Sequence, residues 1–446
     1  MKMTKEIIQR IEGEATLELE WDNNKIEFAK IKFLNFRGIE KILEKRPFLD
    51  ALAITPRVCG ICNTSHIIAA INAIEDAYKT ANIEVKISRK ANDIREFALN
   101  AEKIQNHIKW IYFSILPEVL AIRGKDEQSI TAFEGSEWIE SQKACNDMLK
   151  AMALFTGQWP HGSFCMVGGV TCDPTRGDML EAMRYLESVI KYCEEKIFGE
   201  TIENFLKFTS SIQIMGTKGA LSKIVETIVS EKLDNIGKSY DRFISLGNNS
   251  RKHSSKKSQG TIVVNADVKF VSESLEHSFF EENGYTYSKS ALYKNKYTET
   301  GPIARMMIKK NPLIRDFHRR NKDSVLTRIV ARIAETAHLL KRSKKLLERI
   351  NLNEPSCTSP KVNYKDINSI GIGRCEAARG SLIHKIEIEK GLIKSYDIIT
   401  PTVWNLGNGN KSFPAVAQKG IIGLDSIAKA DLVFKAFDVC AVCTTQ

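Results

Sequence analysis

The sequence predicts an α+β protein that is mainly α, with a central bundle of long helices and small antiparallel sheets at its periphery. Three observations predict this fold. Apolar residues recur at helical spacing over long stretches, two shorter stretches alternate apolar and polar residues as hairpins do, and the 446 residues suffice for a large core. The chain is 43% hydrophobic and 27% charged, which is typical of an ordinary globular protein.

The first hairpin is predicted over residues 15–36, where the alternation breaks at the turn formers Asp22-Asn23-Asn24. A short helical stretch follows and ends before Pro47, since a helix rarely continues up to the residue preceding proline. Further on, His66 opens an apolar helix over residues 67–77.

Four long helical patterns provide the predicted bundle, and they lie at about 90–120, 137–155, 178–200 and 323–350. The last pattern places apolar residues at helical spacing from Val325 to Leu340. These lengths are enough for helices that pack side by side around one core.

The remaining stretches are predicted to lie at the periphery. Residues 250–300 are polar and form an excursion with one strand-like segment, Thr261–Val264. Ser381–Ile399 alternates again and predicts a second hairpin that turns at Lys390-Gly391. Because no internal repeat or linker interrupts the chain, we expect residues 1–446 to form one integrated domain.

Charge and hydropathy exclude several partner classes. The net charge is +11, but the basic residues are dispersed apart from one dense patch at residues 251–257, which favours a solvated loop over a nucleic-acid site. No apolar run reaches the roughly 18 residues needed to span a bilayer, and the N-terminus has no apolar signal region. We expect a cytoplasmic protein with no membrane span, although a subunit can also be exported on its partner's signal.

Two C-x-x-C pairs stand near opposite ends of the chain, Cys59 with Cys62 and Cys440 with Cys443. In a reducing compartment such pairs more often bind metal or carry out redox chemistry than form disulfides. Four thiolates suit structural zinc, an iron–sulfur cluster or nickel with iron. Structural zinc, a redox or catalytic metal, and two unrelated pairs all remain open from the spacing alone.

The residues around the pairs narrow this choice. The first pair stands in Arg57-Val58-Cys59-Gly60-Ile61-Cys62, followed by His66, and the second in Asp438-Val439-Cys440-Ala441-Val442-Cys443. Six further segments occur in the same order as in one known family: Arg10–Gly13, Phe36–Glu40, Val167–Thr171, Gly301–Arg305, Glu376–Gly380 and Pro401–Asn405. The ordered set resembles the large subunit of nickel–iron hydrogenases over nearly the whole chain.

The resemblance implies the nickel–iron hydrogenase large-subunit fold and the reversible conversion of H2 into protons and electrons. Cys59, Cys62, Cys440 and Cys443 would hold nickel. Cys62 and Cys443 would also bridge to an iron that carries CO and cyanide. Soft thiolates suit both metals.

The resemblance also implies roles for four side chains near the metals. Glu12 matches a glutamate that passes the proton onward, and Arg379 matches a guanidinium over the open metal position. Asp438 would pair near the ligands, and His66 would donate a hydrogen bond to their surroundings. Each also has an ordinary interpretation, as a surface charge, a turn residue or a core histidine.

A magnesium site is implied nearby, with Glu40 as one ligand. Gln446 stands where the family usually has a histidine that helps to hold this ion. A glutamine offers a neutral carbonyl oxygen, which hard cations accept, so we expect a modified site if magnesium binds. No residue follows Gln446, whereas most members carry an extension that is removed, and we expect no such processing here.

Several departures resemble the hydrogen-sensing (regulatory) branch of the family. Glu14 replaces the usual histidine, Ile61 replaces the commoner valine, and the aromatic run Trp110-Ile111-Tyr112-Phe113 lies where the gas channel narrows in that branch. Asn106 stands where catalytic members usually have aspartate, which is expected to tune activity downward. Val439 and Ala378 each replace a family proline.

Three functional hypotheses follow. One is a sensor that signals H2 to a histidine kinase, and another is a cytoplasmic uptake hydrogenase that feeds electrons to metabolism. Both imply an iron–sulfur small subunit, in a heterodimer or a dimer of heterodimers, and maturation chaperones. The third and most remote hypothesis is a structural zinc protein.

Overall fold

The computed structural model describes residues 2–124, 127–247, 261–264 and 267–444. The basic patch at 251–257 and the magnesium candidate Gln446 lie outside the described residues.

The helices of the described residues are α1 (Ile39–Leu43), α2 (Ala51–Ile54), α3 (Asn63–Thr80), α4 (Arg89–Trp110), α5 (Leu116–Ile122), α6 (Ser136–Thr156), α7 (Arg176–Tyr192), α8 (Ile202–Phe205), α9 (Ser211–Met215), α10 (Ala220–Ser230), α11 (Pro302–Ile308), α12 (Pro312–Asn321), α13 (Val325–Arg349), α14 (Pro401–Leu406), α15 (Val416–Ile421) and α16 (Ile427–Ala436). The strands are β1 (Lys2–Ile7), β2 (Thr16–Asp22), β3 (Lys25–Lys32), β4 (Cys165–Met166), β5 (Gly169–Val170), β6 (Arg242–Ser245), β7 (Thr261–Val264), β8 (Val271–Ser274), β9 (Ser290–Tyr293), β10 (Ser369–Ala377), β11 (Gly380–Glu389) and β12 (Leu392–Ile399).

The central bundle consists of α4, α6, α7 and α13, which pack against one another. Hydroxyl caps start α4 and α13: Ser88 accepts a hydrogen bond from Ala91 N in α4, and Ser324 accepts one from Thr327 N in α13. The apolar residues of α13 are buried along the face that their spacing predicts. The bundle and its four predicted helical stretches are confirmed.

The stretch after α4 differs from a regular helix. Residues Ile111–Ile115 form a π-helical turn before α5 begins. Pro117 follows closely and lacks the N–H that would bond to the carbonyl of Phe113, so a regular α-helix cannot continue through it. Of the predicted aromatic run, Trp110 and Phe113 line one cavity together with Ile61, whereas the ring of Tyr112 contacts Tyr192.

Both predicted hairpins are present, and each gains a strand that the sequence pattern did not reveal. β1-β2-β3 and β10-β11-β12 form two three-stranded antiparallel sheets. Asn23 and Asn24 adopt φ values of 46° and 60°, and Lys390 and Gly391 adopt 52° and 76°, as tight hairpin turns require. The small β6–β7 pair runs parallel, unlike the antiparallel sheets that the sequence predicts.

Close packing of β10 on α3 fixes the helix that carries Cys62 at its start. Gly371 and Gly373 face the backbone of α3, where an added Cβ would lie 2.0 Å from Ala73 O and 1.9 Å from Ala69 O. Only glycine therefore permits this approach.

We expect Gly373→Ala to destabilise the protein by about 3 kcal/mol, because the new methyl must push β10 away from α3. The midpoint of urea unfolding measures this change. Gly177→Ala in α7 is the control, since its Cβ would meet only Thr175 Oγ1, at 3.5 Å. That variant should equal the wild type or exceed it by about 0.5–1 kcal/mol. Equal midpoints for the two variants would contradict the packing argument.

The two ends of the chain meet in the core. Glu12 pairs with Cys440 in a parallel bridge, and Ala441 N donates to Glu12 O at 2.8 Å. The largest buried apolar cluster includes residues from Ile8 to Ala441. That one domain spans residues 1–446 remains a prediction. No helix among the described residues has the length and apolar character needed to cross a membrane.

Candidate metal centre

The two cysteine pairs come together in one buried cluster. Cys59 Sγ lies 3.4 Å from Cys440 Sγ, and Cys62 Sγ lies 3.3 Å from Cys443 Sγ. All four sulfurs lie within 4.8 Å of one another, and all four residues are buried. Such a group of soft ligands fits a thiophilic metal centre. The hypothesis of two unrelated pairs is therefore wrong.

Three structural features hold the two cysteine loops. The first pair follows the 3₁₀ turn Thr55–Val58 and leads directly into α3, and the second pair lies on a 3₁₀ turn after α16. Arg37 joins the loops, because its guanidinium donates to Val58 O on one side and to Val442 O, at 2.6 Å, on the other. This arginine belongs to the Phe36–Glu40 motif, but the sequence did not reveal its role.

Glu102 of α4 caps the start of α3. Its carboxylate accepts hydrogen bonds from Thr64 N at 2.6 Å, Ser65 N at 3.0 Å and Ser65 Oγ at 2.6 Å. The carboxylate thus satisfies N–H groups that have no partner within the helix, at the positive end of the helix dipole. This buried cap connects the bundle to the loop that carries Cys62.

Replacing Glu102 with alanine should lower the free energy of unfolding by about 3 kcal/mol, because buried donors at the start of α3 lose their acceptor. Chemical denaturation measures the loss. Glu96→Ala is the matched control on the same helix: Glu96 pairs with Arg342, but its side chain is 35% exposed. We expect at most about 1 kcal/mol there. A Glu102→Ala variant as stable as the control would contradict the capping role.

Charged side chains lie next to the second cysteine pair, Cys440 and Cys443. Arg379 Nη2 donates to Asp438 Oδ1 at 2.9 Å, and Arg379 Nε donates to Asp438 O at 3.0 Å. Arg332 Nη1 donates to Asp438 Oδ2 at 2.6 Å. Two guanidinium groups therefore share one carboxylate, and the remaining positive charge lies beside the thiols.

The charge of Arg379 contributes to the low pKa of one of the four thiols, Cys440. Burial alone would raise the pKa of Cys440, but hydrogen bonds from Cys443, Cys59 and Cys62, together with the charge of Arg379, hold it well below its usual value. A thiolate is the form that binds a metal. The cluster therefore offers the donor set and the compensating charge that a nickel–iron centre requires.

A buried polar network continues from Arg332 into the bundle. His107 Nδ1 lies 3.2 Å from Arg332 Nη1, and its Nε2 lies 3.2 Å from Glu335 Oε2. Glu335 binds Arg305 through two hydrogen bonds of 2.6 Å. The sequence analysis missed His107, Arg332 and Glu335. Charged residues on the buried face of a long helix were the available signal.

Arg305 in turn fixes the backbone next to Arg379. Its Nη1 donates to Ala377 O at 3.0 Å and its Nη2 donates to Ala378 O at 3.2 Å. Arg305 thereby holds the backbone of residues 377–378, directly before Arg379.

Glu12 lies at the edge of a cavity beside the cysteines. The cavity measures about 40 Å³ and is lined by Glu12, Ile61, Asn106, Trp110, Phe113, Arg379 and other residues. Burial, and then the nearby Cys59, raise the pKa of Glu12. Among the described residues, no group donates a hydrogen bond to this carboxylate.

Asn106 connects the cavity wall to Arg379. Its Oδ1 accepts from Arg379 Nη1 at 3.3 Å, while its Nδ2 donates to Ile61 O and Glu102 O, both at 2.8 Å. An aspartate here could not donate these bonds. Asparagine thus gives Arg379 a neutral partner in place of a second carboxylate.

His66 lies beside a cysteine of the second pair. Its Nε2 is 3.9 Å from Cys443 Sγ, and its Nδ1 is 3.0 Å from His384 Nε2. His384 Nδ1 is 2.7 Å from Tyr396 Oη. His66 therefore lies beside a cysteine of the cluster, its role as a hydrogen-bond donor remains a prediction, and His384 and Tyr396 are additions from the structure.

Glu40 lies in a separate, partly buried site. Its carboxylate accepts from Ile398 N at 2.8 Å and from Lys289 Nζ at 3.1 Å. Glu273 lies 3.7 Å from the same ammonium. Lys289 supplies positive charge to Glu40 in this site. Magnesium remains a prediction.

The other six cysteines lie outside the cluster. Cys145, Cys165, Cys193 and Cys375 are buried, and Cys172 and Cys357 are half-buried. None of them joins a group of potential metal ligands within the described part of the chain.

Comparison with known proteins identifies the same metal chemistry. Residues 37–116 and 121–445 match the family model described as nickel-dependent hydrogenase. The chain is 25% identical to the periplasmic NiFeSe hydrogenase large subunit of Desulfomicrobium baculatum, over 91% of this chain and 86% of that protein. It is 24% identical to sulfhydrogenase 1 subunit alpha of Pyrococcus furiosus, over 100% of this chain and 98% of that protein.

The fold agrees with a solved structure. The oxidised Ni-Fe-Se hydrogenase from D. vulgaris Hildenborough superposes with a TM-score of 0.83 at 21% identity, over 100% of each chain. The predicted fold class is therefore confirmed.

Proposed function

The chain belongs to the nickel-dependent hydrogenase family, and on that premise we propose that it is the large subunit of a hydrogen-sensing nickel–iron hydrogenase. The enzyme class and the nickel–iron cofactor follow from the family and from the four clustered cysteines. When bound, this centre supplies the heterolytic cleavage of H2 and takes up the electrons. CO and cyanide as iron ligands belong to the proposal.

The residues around the centre have distinct proposed tasks. Cys59, Cys62, Cys440 and Cys443 bind the metals as thiolates. Arg379, held by Asp438, keeps a fixed positive charge beside them. A protonated thiol can pass its proton to Glu12, whose carboxyl faces the cavity.

The cavity wall carries the proposal of a sensor. Ile61, Trp110 and Phe113 narrow the space beside the cysteines to about 40 Å³, close to the size of one or two water molecules. Bulky walls slow the passage of dioxygen more than that of the smaller dihydrogen. Such a site favours continuous response to H2 in air over rapid turnover.

Turnover and oxygen inactivation test the sensor proposal. We expect H2 oxidation at or below the low end of the usual enzyme range of about 1–10³ s⁻¹. Ile61→Val should widen the cavity and speed inactivation by oxygen. Rapid turnover, or inactivation rates unchanged by the substitution, would count against a sensor.

The second candidate is an uptake hydrogenase that supplies electrons to metabolism. The names of the two relatives, a periplasmic hydrogenase and a sulfhydrogenase, favour it, since neither is named as a sensor. High turnover without binding to a histidine kinase would support this alternative. A cytoplasmic location remains a prediction in both cases.

Electrons released at the centre need a path out, and we propose an iron–sulfur small subunit for this. Leu34 and Phe36 are 48% and 37% exposed beside Arg37, which contacts both cysteine loops. Exposed apolar residues of this kind suit a protein interface. A heterodimer or a dimer of heterodimers, maturation chaperones and a histidine kinase complete the proposed partners.

The decisive experiment is metal analysis and infrared spectroscopy of the purified complex under H2. The proposal expects nickel together with an excess of iron, since the iron–sulfur clusters of the small subunit add to the iron of the centre, and it expects bands from CO and cyanide. Zinc without nickel, and no such bands, would establish the structural zinc hypothesis instead.

A further inference from the structure

We propose that Tyr396 is a positioning residue that fixes the tautomers of His384 and His66, so that His66 directs an N–H at Cys443 Sγ. The inference rests on the proposed function, in which Cys443 is a metal ligand. The three side chains come from β12, β11 and α3, and they form one continuous row behind the cluster.

The row is short, buried and continuous. Tyr396 Oη lies 2.7 Å from His384 Nδ1, and His384 Nε2 lies 3.0 Å from His66 Nδ1. His66 Nε2 then lies 3.9 Å from Cys443 Sγ, within reach of a hydrogen bond to sulfur. All four residues are buried, so solvent cannot supply alternative partners.

The direction of the hydrogen bonds follows from the phenol. Burial raises the pKa of Tyr396 well above its usual value, so its oxygen keeps its proton. Within the described residues, His384 Nδ1 is the one hydrogen-bond partner of this oxygen. An unpaired buried O–H is costly, so Tyr396 donates to His384 Nδ1.

The tautomers follow in sequence. Because His384 Nδ1 accepts, the ring carries its proton on Nε2 and donates to His66 Nδ1. His66 Nδ1 therefore accepts as well, and His66 carries its proton on Nε2. That N–H points at Cys443 Sγ.

The orientation matters for the sulfur. A donated N–H withdraws electron density from a thiolate, whereas a ring lone pair would repel it. A ligand's hydrogen-bond partners tune the metal in this way without touching it. Tyr396 thus acts on the centre through two histidine rings.

The test is Tyr396→Phe in the purified complex with its metals loaded. The variant removes one oxygen and frees His384 to take the other tautomer. We expect the CO band to shift to lower wavenumber and the midpoint potential of the centre to become more negative, because the sulfur loses its donor. Tyr78→Phe, at a buried tyrosine on the same helix as His66, should leave both unchanged.

A second variant separates this relay from a general packing effect. In His384→Gln the amide always carries N–H groups and can donate to His66 without Tyr396. The double variant with Tyr396→Phe and His384→Gln should therefore have the same CO band and midpoint potential as His384→Gln alone. If the Tyr396→Phe protein does not take up metal, the double variant still tests the proposal. A double variant that binds metal and has the same CO band as His384→Gln supports the action of Tyr396 through His384.

Two outcomes would overturn the inference. One is a wild-type CO band and potential in Tyr396→Phe, and the other is any further shift, or loss of metal, in the double variant. A wild-type complex without CO or cyanide bands would refute the proposed function itself, so the two failures are distinguishable.

Discussion

Replacing Cys440 with serine should remove nickel from the purified protein and lower H2 oxidation by about 10³-fold or more. The four cysteines bind the metals as one set of ligands, so the loss of one thiolate disables the whole set. Serine offers a hard hydroxyl that stays protonated at neutral pH, whereas hydrogen bonds from Cys443, Cys59 and Cys62, together with the charge of Arg379, hold the pKa of Cys440 well below its usual value. Metal analysis and H2-dependent dye reduction measure the two effects.

Cys145→Ser is the matched control for this prediction. Cys145 is equally buried, but its Sγ contacts a backbone oxygen, Gln105 O at 3.6 Å, and no other sulfur among the described residues. Its nickel content and activity should stay close to those of the wild type. A Cys440→Ser protein that keeps its nickel would show that the four-sulfur cluster is not the metal site.

Local sequence patterns predicted the elements of this fold well, because each depends on neighbours in the chain. The alternation of residues 15–36 and the asparagines at its turn were enough for the hairpin β2–β3. β1 and β10 were missed although each pairs with the next strand along the chain, because the residues of β1 are mostly polar and glycines occupy buried positions of β10. The glycines of β10 have meaning only once α3 lies against them.

The residues of the site likewise divide into those that motifs predicted and those that only the structure revealed. The cysteine pairs, Glu12 and Arg379 are motif residues, and the sequence predicted them together. Glu102 and Arg305 act through contacts with segments far along the chain, so spacing could not indicate their roles. His384 lies in an alternating strand pattern that is equally consistent with a simple core residue.

The charges of the residues around the cysteine cluster partly compensate one another. The cluster of four thiols lies near Arg379, and Arg379 and Arg332 share the carboxylate of Asp438. Burying charges is favourable only when partners compensate them. The surplus positive charge therefore prepares the site for an anionic set of ligands, while Glu12 remains outside this network and is available for proton transfer.

Glu12→Gln should lower H2 oxidation by about 10²–10⁴-fold while nickel and iron stay at wild-type levels, because an amide has the size of the carboxyl group but cannot relay a proton. The variant keeps the backbone contact of Glu12 O with Ala441 N, so the loop should remain in place. The activity loss, the metal content and the exchange of D2 with water protons are measured together.

Glu14→Gln serves as the control two positions along the chain, since Glu14 is exposed and lies outside the cavity lining. It should retain wild-type activity. Because the amide introduced by Glu12→Gln would block release of the proton but leave the metals intact, the infrared bands of that variant should persist while its D2 exchange falls. Undiminished exchange in Glu12→Gln would exclude Glu12 from the proton path and direct attention to the remaining polar residues of the cavity, Lys109 and Ser114 among them.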